Sequence, residues 1–155
     1  VSSQANILRP VSILGTGVYL PEKTVTNHDL EKIVETSDEW IYSRTGMRER
    51  RIARDDQATS DLASEAAKAA LADAGVGAEE IDLLIVATLS PDMPFPATAC
   101  FVQEKIGAKN AYCYDLGAAC SGSLYALETA KNQIACGAVN TALIIGAEKM
   151  STVLD

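Results

Sequence analysis

No stretch of this sequence approaches the ~20 consecutive apolar residues that a membrane-crossing helix needs, and residues 1–10 lack the apolar core of a secretion signal. A basic surplus is missing as well. The 13 Lys and Arg against 21 Asp and Glu leave a net charge of −8, which argues against a general nucleic-acid binder. The four cysteines, Cys100, Cys113, Cys120 and Cys136, form no C-x-x-C pair, so zinc and dithiol redox motifs have no support. They lie in or beside apolar segments, which reads as reduced thiols of a cytoplasmic protein, with Cys100, Cys113 and Cys136 expected to pack as small hydrophobes. There is one histidine, His28. It falls at an expected helix start in a polar stretch, and nothing links it to a nucleophile, so it is expected on the surface rather than as a catalytic base. No internal repeat or low-complexity segment is present. The chain opens on Val1 rather than methionine, which reads as a processed or trimmed end, and the polar residues 1–10 are expected to be a loose leader.

What is there suits one domain over residues 11–155: 155 residues in all, 48% hydrophobic, enough to bury a core. Strand and helix patterns alternate, which points to a mainly parallel α/β sheet. Val11–Val18 is expected as a strand, with Gly15 and Gly17 permitting close backbone approach. Asn27 is expected to cap a helix from His28 to about Glu35. Ser60–Ala74 has helical spacing, closes at Gly75, and carries a face of Leu62, Ala66, Ala70 and Ala74 small enough to lie close on a sheet. Leu83–Leu89 is an apolar run interrupted only by Thr88, the mark of a strand buried on both faces. Ser90–Pro96, with three prolines, is expected as a stiff loop presenting Met93 and Phe95, and large apolar residues on a loop often serve an interface or pocket. A helix over Ala97–Ile106 and a strand over Thr141–Ala147 complete the pattern.

Two stretches carry chemistry. The first runs from Tyr112 to Gly137 and reads as strand, sharp turn and helix. Tyr112, Tyr114 and Leu116 have strand character, Gly117, Ala118 and Ala119 are small enough for a tight turn, and Ser121-Gly122-Ser123 opens a helix. Cys120 sits in the turn, where the exposed N–H groups of the first helical turn favour thiolate over thiol. That is the layout of a nucleophile on a strand-to-helix elbow; the alternative is a buried structural cysteine. The second stretch is Thr36-Ser-Asp-Glu-Trp-Ile-Tyr-Ser-Arg44. It has a capping-box pattern from Thr36 to Glu39, and steps of four put Thr36, Trp40 and Arg44 along one face. A hydroxyl, an aromatic ring and a planar cation so arranged can stack a base and hold phosphate, although a packed Trp and an ion-paired Arg would read the same way. Arg44, Arg48, Arg50, Arg51 and Arg54 form a local basic cluster able to steer an anionic partner, or to pair with Glu49, Asp55 and Asp56.

Several of these segments resemble β-ketoacyl-acyl-carrier-protein synthase III, a family of thiolase-fold condensing enzymes. The resemblance rests on Asp115-Leu-Gly-Ala-Ala-Cys-Ser-Gly-Ser-Leu-Tyr-Ala-Leu127, Ile13–Pro21, Thr36–Ile41, Arg44–Arg50, Phe95–Ala99 and Gly137-Ala-Val139, in the family's order. It implies a layered αβαβα thiolase-like fold of two similar halves, of which this chain would be the N-terminal one. It implies an acyltransferase that initiates fatty acid synthesis, condensing an acyl-CoA primer with malonyl-acyl carrier protein through an acyl-Cys120 intermediate. The positions matching Thr36, Trp40 and Arg44 contact coenzyme A in that family. The position matching Phe95 reaches into a neighbouring acyl pocket, and Met150 matches another acyl-pocket position. Coenzyme A enters as the thioester substrate, with no cofactor and no metal implied. The family takes a catalytic His and Asn from its second half, and neither has a counterpart here. A second chain carrying that half is therefore expected as a partner, with the complete enzyme a homodimer and no nucleic-acid or membrane partner. A related synthase with another acceptor, or a non-catalytic half that folds with a partner chain, would share these residues.

Overall fold

The computed structural model describes residues 8–152; residues 1–7 of the expected leader and residues 153–155 lie outside the described residues. In chain order the elements are β1 (Lys23–Thr26), α1 (Asn27–Leu30), α2 (Asp38–Thr45), β2 (Glu49–Ile52), α3 (Thr59–Ala74), β3 (Leu83–Ala87), α4 (Thr98–Ile106), β4 (Tyr112–Leu116), α5 (Gly122–Ala135) and β5 (Ala142–Gly146). Short 3₁₀ turns cover Ala78–Glu80, Ala119–Ser121 and Met150–Thr152. Among the described residues no helix is long and apolar enough to cross a membrane.

The continuous apolar run forms the middle of the core. β3 lies between β4 and β5 in a parallel three-stranded sheet, and all five of its residues are buried. Successive side chains of a strand point to opposite faces. Leu84 and Val86 accordingly join Ala63 and Ala67 of α3 and Val102 of α4 in one cluster. Leu83 and Ile85 join Ala126 and Ala130 of α5 in another, beyond the opposite face. The result is α3 and α4 on one side of the sheet and α5 on the other. Each fully buried Leu, Ile or Val of β3 contributes about 1.5–3 kcal/mol. α3 stops where its sequence indicates, at Gly75, whose φ of 64° is a left-handed cap that residues with a Cβ adopt at a cost.

Several sequence expectations are corrected, and one strand pair is new. Val11–Val18 belongs to no strand, because no strand among the described residues pairs with it. It runs against α3 instead: a Cβ on Gly15 would stand 2.5 Å from the Ala74 nitrogen, and one on Gly17 would strike Ala66 O and Ala70 N. The Ala66, Ala70 and Ala74 stripe thus receives this segment, while Ala63 and Ala67, with Ala70 packed beside them, belong to the cluster on the sheet. The helix expected from His28 to Glu35 shortens to Asn27–Leu30, capped by Thr26 rather than Asn27; Thr26 Oγ1 accepts from the Asp29 N–H at 3.2 Å. Asn27 is buried and works across elements. Its amide donates to Asp38 Oδ1 and Met47 O, both at 2.8 Å, and accepts from Arg50 Nη2 at 2.7 Å. In α2 the cap is Ser37, one residue after Thr36, with Ser37 Oγ accepting from the Trp40 N–H at 3.1 Å. The antiparallel pair of β1 and β2, four residues each, was not foreseen; Val25 stands opposite Arg50.

Candidate active site

Parallel strands deliver their following loops to one edge, and ligands of α/β sheets bind at that edge, beyond the carboxyl ends of the strands. Leu116, Ala87 and Gly146 are in register at the ends of β4, β3 and β5. Cys120 follows β4, Phe95 lies on the loop that follows β3, and Met150 follows β5. The topology therefore sends three of the sequence-predicted site residues out from the same edge of the sheet.

Cys120 occupies the 3₁₀ turn Ala119–Ser121 between β4 and α5, and it is exposed. Ala119 beside it has φ 47°, the one non-glycine positive φ among the described residues. Holding an alanine in the left-handed region costs on the order of 1–3 kcal/mol, and such strain persists where surrounding structure imposes it. Here the strain comes with a turn sharp enough to lift the cysteine off the strand end. The first turn of α5 fits closely against the sheet. A Cβ on Gly122 would meet Ala87 Cβ at 3.1 Å, and the space above Gly146 is taken by Ser123 Oγ. The expected elbow is present, with the helix proper opening at Gly122 after a single 3₁₀ turn. The thiol is on the surface, contrary to a buried structural cysteine.

The other cysteines divide. Cys100 and Cys113 are partly buried with their sulfurs 3.7 Å apart. Burial first, and the Cys100 contact next, push the Cys113 thiol up to about 11. Cys136 does not pack as a small hydrophobe. It is exposed at the end of α5, where its thiol donates to Gln133 O at 3.3 Å.

Trp40 and Arg44 sit one turn apart on α2, with the Arg44 guanidinium carbon 4.9 Å from the Trp40 ring centroid. Trp40 is 55% exposed, so it is accessible to a ligand. Thr36 precedes the helix and its cap. A second cation–aromatic pair, missed in the sequence, lies alongside: Arg48 is 3.9 Å from the Tyr42 ring centroid. The rest of the basic cluster is engaged locally. Arg50 and Arg51 donate to Val25 O and Pro21 O, and Arg54 pairs with Asp56 at 2.9 Å. The His28 side chain is 72% exposed, with its Nδ1 3.2 Å from the Glu31 carboxylate.

Phe95 is 86% exposed. Met150 lines an apolar cleft of about 430 Å³ with Val18, Leu20, Ile52 and Leu62. Three carboxylates that the sequence did not single out hold this edge together. Glu148 accepts from Leu89 N at 2.8 Å, Ser90 N at 2.9 Å and Ser90 Oγ at 2.5 Å. Asp115 of β4 accepts from the Thr98 and Ala99 N–H groups at 2.7 and 2.8 Å, capping α4. Asp92 bonds Ser60 through both oxygens. Asp92 between two prolines, and Asp115 at a strand end ahead of Cys120, were the only local signals for them.

Residues 41–154 match the family described as Thiolase, N-terminal domain. The chain belongs to the thiolase family. Within it, the chain is 57% identical over 145 residues to β-ketoacyl-acyl-carrier-protein synthase III 1 of Bacillus cereus, covering 94% of this chain and 47% of that protein. It superposes with a TM-score of 0.89 and 53% identity on the crystal structure of 3-oxoacyl-acyl-carrier-protein synthase III from Aquifex aeolicus, covering 92% of this chain and 46% of that one. A priming β-ketosynthase from a polyketide biosynthetic pathway matches with a TM-score of 0.89 at 36% identity, over 92% of this chain and 43% of that one. The chain spans about half the length of the curated relatives it matches. The resemblance read from the motifs and the thiolase-like α/β fold are thereby established.

Proposed function

We propose that this chain carries the nucleophile of a decarboxylative condensation between an acyl-CoA primer and malonyl-acyl carrier protein, the step that initiates fatty acid synthesis. The observation that carries the reading is the exposed Cys120 on its strained elbow, at the sheet edge from which the Phe95 and Met150 segments also leave. The Cys120 thiolate attacks the thioester carbonyl of acyl-CoA, and coenzyme A leaves as its thiolate while the acyl group stays on sulfur. Malonyl-acyl carrier protein then loses carbon dioxide. The resulting enolate carbon attacks the acyl thioester, a carbon–carbon bond forms, and Cys120 departs as thiolate, ready for another turn. The Cys120 backbone N–H is the candidate donor for the tetrahedral oxyanion.

Thr36, Trp40 and Arg44 are the proposed contacts to coenzyme A, with Trp40 stacking on the base. Phe95 and Met150 line acyl pockets, Phe95 that of a neighbouring copy in a dimer. The donors that polarise the malonyl thioester come from the second half of the complete enzyme. The exposed apolar side chains Ile13, Leu14, Val18, Leu124 and Leu127, between 44% and 74% accessible, support a covering second half. The similarity to a priming ketosynthase of polyketide synthesis favours, as second reading, the same chemistry with a different acceptor.

The test is a condensation assay on the complete assembly, with acyl-CoA and malonyl-acyl carrier protein. β-Ketoacyl product from wild type and none from Cys120→Ala supports the proposal. Undiminished product from Cys120→Ala contradicts it.

A further inference from the structure

The loop between β3 and α4 is tethered on both sides of its exposed tip. Before the tip, Asp92 accepts from the Ser60 N–H at 2.8 Å and from Ser60 Oγ at 2.5 Å, and its own N–H donates to Thr98 Oγ1 at 3.1 Å. Ser60 is fully buried. Its hydroxyl in turn accepts from Lys105 Nζ at 2.5 Å, and Lys105 is further held by Asp61 Oδ1 at 2.7 Å. After the tip, Asp115 grips the first N–H groups of α4, so the far end of the loop is fixed to the very strand that delivers Cys120. Between these anchors Met93 and Phe95 project at 44% and 86% exposure. Charge-assisted bonds of this kind are short and directional, roughly twice as strong as neutral ones. With Ser90 also held by Glu148, the Asp92 and Asp115 bonds are the ones that flank the tip, and the tip side chains take their position from them.

We propose that Asp92, backed by Ser60 and Lys105, is a positioning residue that sets how far the Met93–Phe95 tip reaches into the acyl pocket of the neighbouring copy, and so sets the length of acyl chain accepted. This rests on the reading of Phe95 as an acyl-pocket wall. Releasing the Asp92 foot leaves the Asp115 foot in place, so the tip shifts without uncoupling α4 from β4. The nucleophile, its turn and the coenzyme A face on α2 are untouched by that change. The effect therefore falls on discrimination among primers rather than on catalysis of all of them.

The experiment measures kcat/KM for a series of straight-chain acyl-CoA primers in the complete assembly, for wild type, Asp92→Ala, Lys105→Met and Lys105→Arg. The long-to-short selectivity ratio is expected to move roughly fivefold or more in Asp92→Ala, modest beside the ~10–200-fold that one methylene commands in an apolar pocket. Lys105→Met is expected to move it in the same direction by less, and Lys105→Arg to return it towards wild type. A partly unfolded sample lowers every primer equally and leaves the ratio alone, and the Lys105 side chain is 35% accessible, so its variants are expected to fold. A ratio unchanged in both Asp92→Ala and Lys105→Met overturns the positioning role. Absence of any acyl transfer in wild type would instead overturn the functional reading beneath it.

Discussion

The guanidinium carbon of Arg44 stands 4.9 Å from the centroid of the Trp40 ring, one helical turn away on α2. The cation lies over the indole of a residue that is 55% exposed. If Trp40 stacks on the base of coenzyme A, Trp40→Ala is expected to raise KM for acyl-CoA about tenfold, equivalent to about 1.4 kcal/mol. Transfer from an acyl carrier protein donor should change less. Steady-state kinetics with both donors checks this, and an unchanged KM for acyl-CoA counts against the stacking role.

Cysteine labelling should follow the surface rather than the sequence. Cys100 and Cys113 are partly buried and Cys113 keeps its proton up to about 11, so limiting iodoacetamide at about pH 8 should leave both unmodified. Cys120 and Cys136 are both exposed, and only Cys120 stands at a helix N-terminus, so it should react before Cys136. Peptide mapping by mass reads the order; equal modification of all four in the folded protein contradicts it.

The same thiol gives a pH dependence. Folding raises the Cys113 pKa from 9.0 to about 11, so between these values the folded chain holds a proton that the unfolded chain releases. Stability therefore falls as pH rises through this window. Unfolding midpoints taken across it should decline, and Cys113→Ala should flatten the decline.

Much of the core was legible because its signal is local. The run expected over Leu83–Leu89 is a strand buried on both faces over Leu83–Ala87, with Leu89 exposed beyond it, and Gly75 could end a helix whatever lay around it. The turn that carries Cys120 was legible for the same reason, since small residues, a turn and a helix start are contiguous in the chain. What failed depended on distant partners. Val11–Val18 has strand composition but no neighbouring strand among the described residues. Asn27 looked like a cap and is instead a buried link among α1, α2 and β2. The polar strands Lys23–Thr26 and Glu49–Ile52 show no apolar alternation to announce them. Asp92 and Asp115 act on residues 32 and 17 positions away, which no window on the sequence reveals.

Close packing of Val11–Val18 on α3 makes Gly17 intolerant of a side chain. A Cβ there would strike Ala66 O and Ala70 N, both backbone atoms. Gly17→Ala is expected to cost about 1–3 kcal/mol. Gly117→Ala, whose nearest neighbour would be Leu89 Cδ2 at 3.8 Å, is an ordinary contact and should cost less. Denaturant midpoints of the two variants check the difference.

Leu124 and Leu127 on the outer face of α5 are 67% and 44% accessible. Side chains of this size stabilise by about 1.5–3 kcal/mol each when fully buried, against a total of about 5–15 kcal/mol for a typical domain. The 155-residue chain purified alone is therefore expected to self-associate or to copurify with a second polypeptide. Size-exclusion chromatography with mass detection decides; a stable, active monomer of this chain only would contradict the expectation.

The central claim is that Cys120 carries the acyl group. The most direct measurement is intact-mass and peptide-mass analysis of the complete assembly after brief exposure to acetyl-CoA, without malonyl-acyl carrier protein. The account expects one acetyl group per nucleophile chain, located on the peptide containing Cys120, lost to hydroxylamine as a thioester is and absent in Cys120→Ala. Acetylation at another residue, or none at Cys120 in an assembly that still condenses acetyl-CoA with malonyl-acyl carrier protein, would contradict it.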